Sequence, residues 1–185
     1  MSKKICVFLA DGFEEIEGLT VVDLLRRAGV EVTTVSIMGE LTIHGAHGID
    51  VQADKLFEEV DYDEMDMAVL PGGMPGTLNL GAHSGVKAVL EQFYQKRRYI
   101  AAICAAPSIL GKYGMLEGRK ATSYPGFEEA LTGAEYVYDA VAADDFLITS
   151  RGLGTAIEFS LKLIEKLIDE DKAEEVKKSI IYMQS

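Results

Sequence analysis

Residues 5–37 read ICVFLADGFEEIEGLTVVDLLRRAGVEVTTVSI, and this stretch decides the class of fold. The apolar run Ile5 to Ala10 has the length of a buried strand. Glu15 to Arg27 then carries apolar residues at helical spacing, and the β-branched segment Val30 to Ile37 reads as a second strand. Ala28-Gly29 stops the helix, because glycine takes the left-handed turn at a helix end without a Cβ penalty. A strand, a crossover helix and a second strand form the unit from which parallel sheets are built. Ile16, Leu19, Val21, Val22, Leu24 and Leu25 make the expected apolar stripe of the helix. A step of about 100° per residue places Glu17 near Val21 and Leu24, on the inward side.

The same rhythm continues outward. Met67 to Leu70 runs into Pro71-Gly72-Gly73, a helix is expected from Ser84 to Gln95, and Tyr99 to Ile103 is an apolar strand ending at Cys104, where Ala105 to Leu110 begins another helix. Val137 to Ala142 and Phe146 to Thr149 read as strands around the turn Ala143-Asp144-Asp145, followed by a long amphipathic helix from Thr155 to Asp169. Between the second and third strands, Leu41 to His44 and Ile49 to Gln52 flank Gly45-Ala46-His47-Gly48 as a β-hairpin insertion. Strands alternating with helices predict an α/β fold with a mainly parallel sheet covered on both faces. With no linker, repeat or low-complexity tract in view, residues 1–185 are expected to form a single domain.

Composition narrows the function. At 185 residues, with 48% hydrophobic and 26% charged residues, the chain can bury an ordinary core. Thirty acidic against eighteen basic residues leave a net charge of −12, which disfavours nucleic acid and anionic membrane surfaces as partners. The one basic cluster, Lys96-Arg97-Arg98, suits a helix C-terminus. The apolar stretch near Met1 is cut short by Asp11, Glu14 and Glu15, too early for a signal peptide, and no window approaches the roughly 20 apolar residues of a membrane span. Cys6 and Cys104 are far apart, without metal-ligand spacing, so free thiols, a cytoplasmic location and no metal or cofactor are expected. Surface roles are expected for His44, His47 and His83, dipole stabilisation for Glu14 and Glu15, and a solvated helix face for Asp169 to Lys178.

Chemistry concentrates at Cys104. A cysteine between strand and helix, followed by two alanines and a proline, has the topology of a nucleophile elbow, which turns a side chain out at the carboxyl edge of a sheet. The following helix start would favour a thiolate more acidic than a free thiol. A space-filling cysteine fits the same local sequence. Cys6, within Ile5-Cys6-Val7-Phe8-Leu9, reads as core. Pro71-Gly72-Gly73 emerges on the same edge as Cys104 and could aim backbone N–H groups at a small oxyanion, or be an ordinary turn.

Taken together, Ala10-Asp11-Gly12-Phe13-Glu14-Glu15-Ile16-Glu17, Leu70-Pro71-Gly72-Gly73, Ala101-Ala102-Ile103-Cys104-Ala105-Ala106-Pro107 and Thr149-Ser150-Arg151-Gly152-Leu153-Gly154-Thr155-Ala156 resemble the ThiJ/PfpI superfamily, most closely its branch of small proteins similar to the parkinsonism-associated deglycase. The resemblance implies a flavodoxin-like three-layer sandwich, a homodimer, Cys104 as reactive cysteine, Glu17 as the carboxylic acid beside it, and Gly73 and Ala105 as oxyanion donors. It also implies action on 2-oxoaldehydes, as a glyoxalase independent of glutathione, or on glycated proteins as a deglycase. The other implied role is a redox sensor or holdase chaperone signalled by Cys104 oxidation. Several family members carry a histidine where Thr122-Ser123-Tyr124-Pro125 places Tyr124, a hydrogen-bond donor but a poor base, which argues against triad-dependent proteolysis.

Overall fold

The computed structural model describes residues 2–183. In chain order the elements are β1 (Lys4–Leu9), α1 (Glu15–Arg27), β2 (Glu31–Ser36), β3 (Thr42–His44), β4 (Asp50–Gln52), β5 (Lys55–Leu56), β6 (Met67–Leu70), α2 (Gly76–Ala82), α3 (Ser84–Lys96), β7 (Tyr99–Ile103), α4 (Pro107–Lys112), β8 (Lys120–Ala121), β9 (Glu135–Tyr136), β10 (Val141–Asp144), β11 (Leu147–Ser150), α5 (Ala156–Leu167) and α6 (Glu170–Ser179). Seven strands form one sheet in the order β10-β11-β7-β6-β1-β2-β5, parallel throughout except for the edge pair β10 and β11. Strands β3 and β4 pair antiparallel as the expected hairpin. This is the flavodoxin-like α/β sandwich.

Strand β1 shows why two layers of helices are needed. Side chains alternate across a strand, so Ile5, Val7 and Leu9 enter the core beneath α1, α5 and α6, while Cys6, Phe8 and Ala10 enter the core beneath α2, α3 and α4. Val21, Leu24 and Leu25 of α1 meet Phe159, Leu163 and Leu167 of α5 in the first core, and Val86, Leu90 and Phe93 of α3 fill the second. Both faces of the sheet are therefore dry, as an apolar parallel sheet demands.

Several expectations need correction. Ile16 is 47% exposed and leaves the apolar stripe of α1, because the inward position at the first turn is taken by Glu17. Strand β10 begins at Val141, later than expected, and runs through Ala143 and Asp144, so the turn tightens to Asp145-Phe146 with Asp145 in the left-handed region. Just before the segment read as its start, Glu135–Tyr136 pairs with Lys120–Ala121, a short strand pair not expected from the sequence. The Asp169 to Lys178 segment is a helix, capped by the Asp169 side chain, yet it docks Ala173 and Val176 into the core rather than standing free. Helix α2 was not foreseen because Gly76 to Ala82 carries two glycines and no apolar period. Cluster Lys96-Arg97-Arg98 does end α3, with Lys96 paired to Asp63 and Arg97 to Asp145. Among the described residues, no helix is long and apolar enough to cross a membrane.

Candidate active site

Ligands of open parallel sheets bind beyond the carboxyl ends of the strands, where the strand order reverses. In this molecule the reversal lies at β1 and β6, and the loops leaving β1, β6 and β7 converge there.

Cys104 follows β7 directly and has φ +66°, a left-handed conformation that costs a non-glycine residue about 1 kcal/mol or more. Its neighbours hold it there. The Cys104 N–H donates to the Ser150 carbonyl at 3.0 Å, and its own carbonyl accepts from the Tyr124 N–H at 2.9 Å. The resulting elbow leaves the side chain half-buried at the sheet edge. Cys6 is sealed in the second core, where burial pushes its thiol up to about 12.

Glu17 comes from the first turn of α1 and is 1% exposed. Its carboxyl accepts the Gly72 N–H at 3.0 Å and lies beside the Cys104 thiol, both groups crowding the space where a Gly72 Cβ would stand. Glycine at 72 is obligatory, since a Cβ would fall 2.5 Å from the Cys104 Cβ and 2.6 Å from Glu17 Oε2. Gly73, at φ +93°, packs so tightly on residues 12–14 that a Cβ would lie 2.6 Å from the Gly12 carbonyl oxygen. The main chains of Ala105 and Gly73 favour the charged form of the sulfur. Cys104, Glu17, Gly73 and Ala105, from the elbow, the first turn of α1 and the turn after β6, come together around the sulfur.

The electrostatics correct one expectation. Burial pushes the Glu17 carboxyl up to about 7, against the hydrogen bonds from Cys104 and Gly72, and the Glu14 charge adds to the rise. The thiol is not acidified by its setting. Burial, the Glu17 charge and the hydrogen bond to that carboxylate push it up to about 12, outweighing the Ala105 and Gly73 N–H groups. The helix meant to stabilise a thiolate has only six residues and starts three positions beyond Cys104, whereas the carboxyl touches the sulfur. Both shifts oppose ionising the two groups together, so an ionised Glu17 keeps the proton on the sulfur.

Tyr124 is 52% exposed and reaches the centre by its backbone, which supports the elbow. Its ring borders the crevice: a Cβ on Gly152 would lie 3.3 Å from Tyr124 Cδ2 and 3.7 Å from Glu17 Oε1. Among the described residues its hydroxyl finds no partner. The three histidines are engaged elsewhere, His44 with Asp50 at 2.7 Å, His47 with Glu15 at 3.0 Å, and His83 as acceptor from the Val86 N–H at 3.1 Å.

Sequence reasoning missed the part played by Glu15. It stands in the first turn of α1 as expected, but it is also 1% exposed and accepts the His47 N–H at 2.7 Å. The available signal was the glycine-rich hairpin tip, since a Cβ on Gly45 would overlap the Glu15 carboxylate. Glu14, Glu15 and His47 bring three ligand-type atoms within 4.8 Å, but the Glu15 oxygens are taken by N–H donors and the imidazole, so we assign a hydrogen-bonded ion pair. A cavity of about 510 Å³ at Ser2, Lys3, Lys4, Glu64 and Asp66 opens at the amino end of the sheet, away from this chemistry.

A flavodoxin-like sandwich with a strained cysteine at the end of a central strand, beside a buried carboxyl, defines the class. The DJ-1/PfpI family model matches residues 3–166, and the chain belongs to this family. It is 40% identical to protein dj-1beta of Drosophila melanogaster over 183 residues, covering 98% of both chains. It is 31% identical to the glutathione-independent glyoxalase DJ-1 of Schizosaccharomyces pombe, covering 96% of this chain and 97% of that protein. The oxidized DJ-1 of Toxoplasma gondii superposes with a TM-score of 0.95 at 35% identity, covering 99% of this chain and all of that one.

The raised Glu17 pKa makes stability fall with pH. The folded state keeps this proton up to about 7 whereas a free glutamate loses it near 4.5, so the contribution is complete below 4.5 and gone above about 7. Urea unfolding should therefore show wild type losing up to about 3 kcal/mol more than Glu17→Gln on going from acid to mildly alkaline pH. Parallel stability curves for the two proteins would contradict the buried, protonated carboxyl.

Proposed function

We propose that the protein is a cysteine-dependent carbonyl-stress enzyme acting on 2-oxoaldehydes or early glycation adducts, without glutathione. The observation that carries this reading is the buried Glu17 carboxyl packed beside the Cys104 elbow at the glycine turn Gly72-Gly73. Membership of a family that includes a protein named as a glutathione-independent glyoxalase supports it. Transfer of the thiol proton from sulfur to Glu17 leaves a thiolate favoured by the Gly73 and Ala105 main chains. The thiolate adds to the aldehyde carbon of a 2-oxoaldehyde, and the new oxyanion takes the proton back from Glu17 to give a hemithioacetal and a free carboxylate. Glu17 then removes the proton from that carbon and returns it to the neighbouring one, converting the hemithioacetal to a thioester of a 2-hydroxy acid. Water releases the acid and restores the thiol. Proteolysis is disfavoured because each imidazole is bonded to a group other than the sulfur.

With purified protein and methylglyoxal, Cys104→Ala should abolish turnover. Glu17→Gln should lower kcat by at least about a hundredfold with little change in KM, as expected for loss of a proton-transfer group. Full turnover by Cys104→Ala would end the proposal.

A second reading, redox sensing or holdase activity signalled by Cys104 oxidation, is favoured by one feature. A half-exposed sulfur lies beside a carboxyl able to donate to oxidised sulfur, and the other cysteine is sealed away. After mild peroxide, mass spectrometry should find two added oxygen atoms on the Cys104 peptide and an unmodified Cys6. Oxidation of Cys6 with Cys104 intact would rule this out.

The homodimer is likewise our inference. Ile16 on α1 and Ile49 at the hairpin tip are 47% and 51% exposed, and the Ile49 N–H approaches the carboxylate of Glu15, next to Ile16, at 3.4 Å. Light scattering should give twice the chain mass, and Ile16→Glu with Ile49→Glu should give monomers. A wild-type monomer at micromolar concentration would refute it.

A further inference from the structure

His47 stands at the hairpin tip, and its main chain and ring both bind the start of α1. Its N–H donates to Glu15 Oε1 at 2.7 Å, and its Nδ1 lies 3.0 Å from Glu15 Oε2 and 3.4 Å from Glu14 Oε2. Three further bonds lash the hairpin to the same segment. Gly12 N–H donates to the His44 carbonyl at 2.7 Å, Ala46 N–H to the Phe13 carbonyl at 2.9 Å, and His44 N–H to Asp11 Oδ1 at 2.9 Å.

The opposite side of residues 11–15 bears on the glycine turn after β6. Glu14 N–H donates to the Gly72 carbonyl at 2.9 Å, Gly76 N–H donates to the Gly12 carbonyl at 3.1 Å, and Gly73 has no room for a Cβ against residues 12–14. One short segment is therefore clamped between the hairpin and the Gly72-Gly73 turn beside Cys104.

We propose that His47 is a positioning residue of the Cys104 centre: as a cation bridging Glu14 and Glu15 it holds the hairpin on residues 11–15, and through them holds the Gly72-Gly73 donor turn against the sulfur. The proposal rests on Gly73 as an oxyanion donor and not on any particular substrate. It gives this chain an imidazole that acts on the sulfur without touching it.

The charged groups facing the imidazole from α1 and its approach are Glu14 and Glu15. On its own hairpin, His44 and Asp50 pair with each other, and Asp11 accepts from the His44 main chain. The hydrogen bond that the imidazole donates to Glu15 and the charges of Glu14 and Glu15 hold it above the usual histidine value. The clamp is thus complete in mild acid and is lost as pH rises through that raised value, opposite in sign to thiolate formation.

Iodoacetamide labelling of Cys104 in Glu17→Gln protein, from about pH 6 to about pH 10, isolates the effect because residue 17 no longer titrates. The logarithm of the rate should rise with pH but bend below unit slope as His47 deprotonates. Adding His47→Ala should remove the bend and lower the rate in mild acid about fivefold. His47→Arg, which can span both carboxylates at every pH tested, should restore the rate with no bend, and it carries the test if the alanine variant fails to fold. Superimposable profiles with and without His47→Ala, or an arginine variant as slow as alanine, would overturn the proposal. Absent methylglyoxal turnover by the wild-type protein, with the bend intact in Glu17→Gln, would sink the enzymatic reading alone.

Discussion

A buried carboxyl set beside a partly buried thiol is the constraint around which this molecule is arranged. A buried carboxylate without partners is too costly to keep. Glu17 is tolerable because the Gly72 N–H bonds its carboxyl and because burial favours the protonated form. The same contact controls the sulfur, since an ionised Glu17 opposes a thiolate and a protonated one can donate to it. The reactivity proposed for the centre comes down to where one proton sits.

That contact exists because three backbones meet within a few ångströms. Cys104 must take a left-handed conformation, and the adjoining strand end at Ser150 and the loop at Tyr124 bind its main chain in that state. Gly72 and Gly73 must lack side chains for the β6 loop to approach both the sulfur and residues 12–14. The parallel sheet supplies the frame: its two apolar faces bury the bodies of the strands and leave their carboxyl ends as the place where polar groups can gather. The hairpin adds a brace on the open side, through Glu15 and His47.

Much of this was legible from particular residues. The alternation of Ile5 to Ala10, Glu15 to Arg27 and Val30 to Ile37 announced the parallel sheet, because strand and helix periods are local properties. The inward direction of Glu17 followed from helical geometry, and the elbow from an apolar strand breaking at Cys104-Ala105-Ala106-Pro107. Ile16 misled because hydrophobicity alone assigned it to the stripe. At a helix start the burial direction depends on which loops arrive, and those loops brought partners for a carboxyl. The two-residue strands Lys120–Ala121 and Glu135–Tyr136 have no period to detect and exist only as a pair. The acidic thiol was expected from one local cause, the helix start, when the larger causes were burial and a residue 87 positions away in sequence.

The sequence by itself determined the layered α/β architecture, the hairpin insertion, the core placement of Cys6, and the strand-end position of Cys104. Each of these depends on period, composition or turn chemistry within a short window. Only the tertiary structure decided that the Glu17 carboxyl reaches the sulfur, that Gly72 must be glycine, that the thiol's pKa is raised, and that Glu15 and His47 bind the hairpin to α1. These are matters of distance and desolvation between distant segments. Their energies fall off over a few ångströms, so they take values only once the chain has brought those segments together.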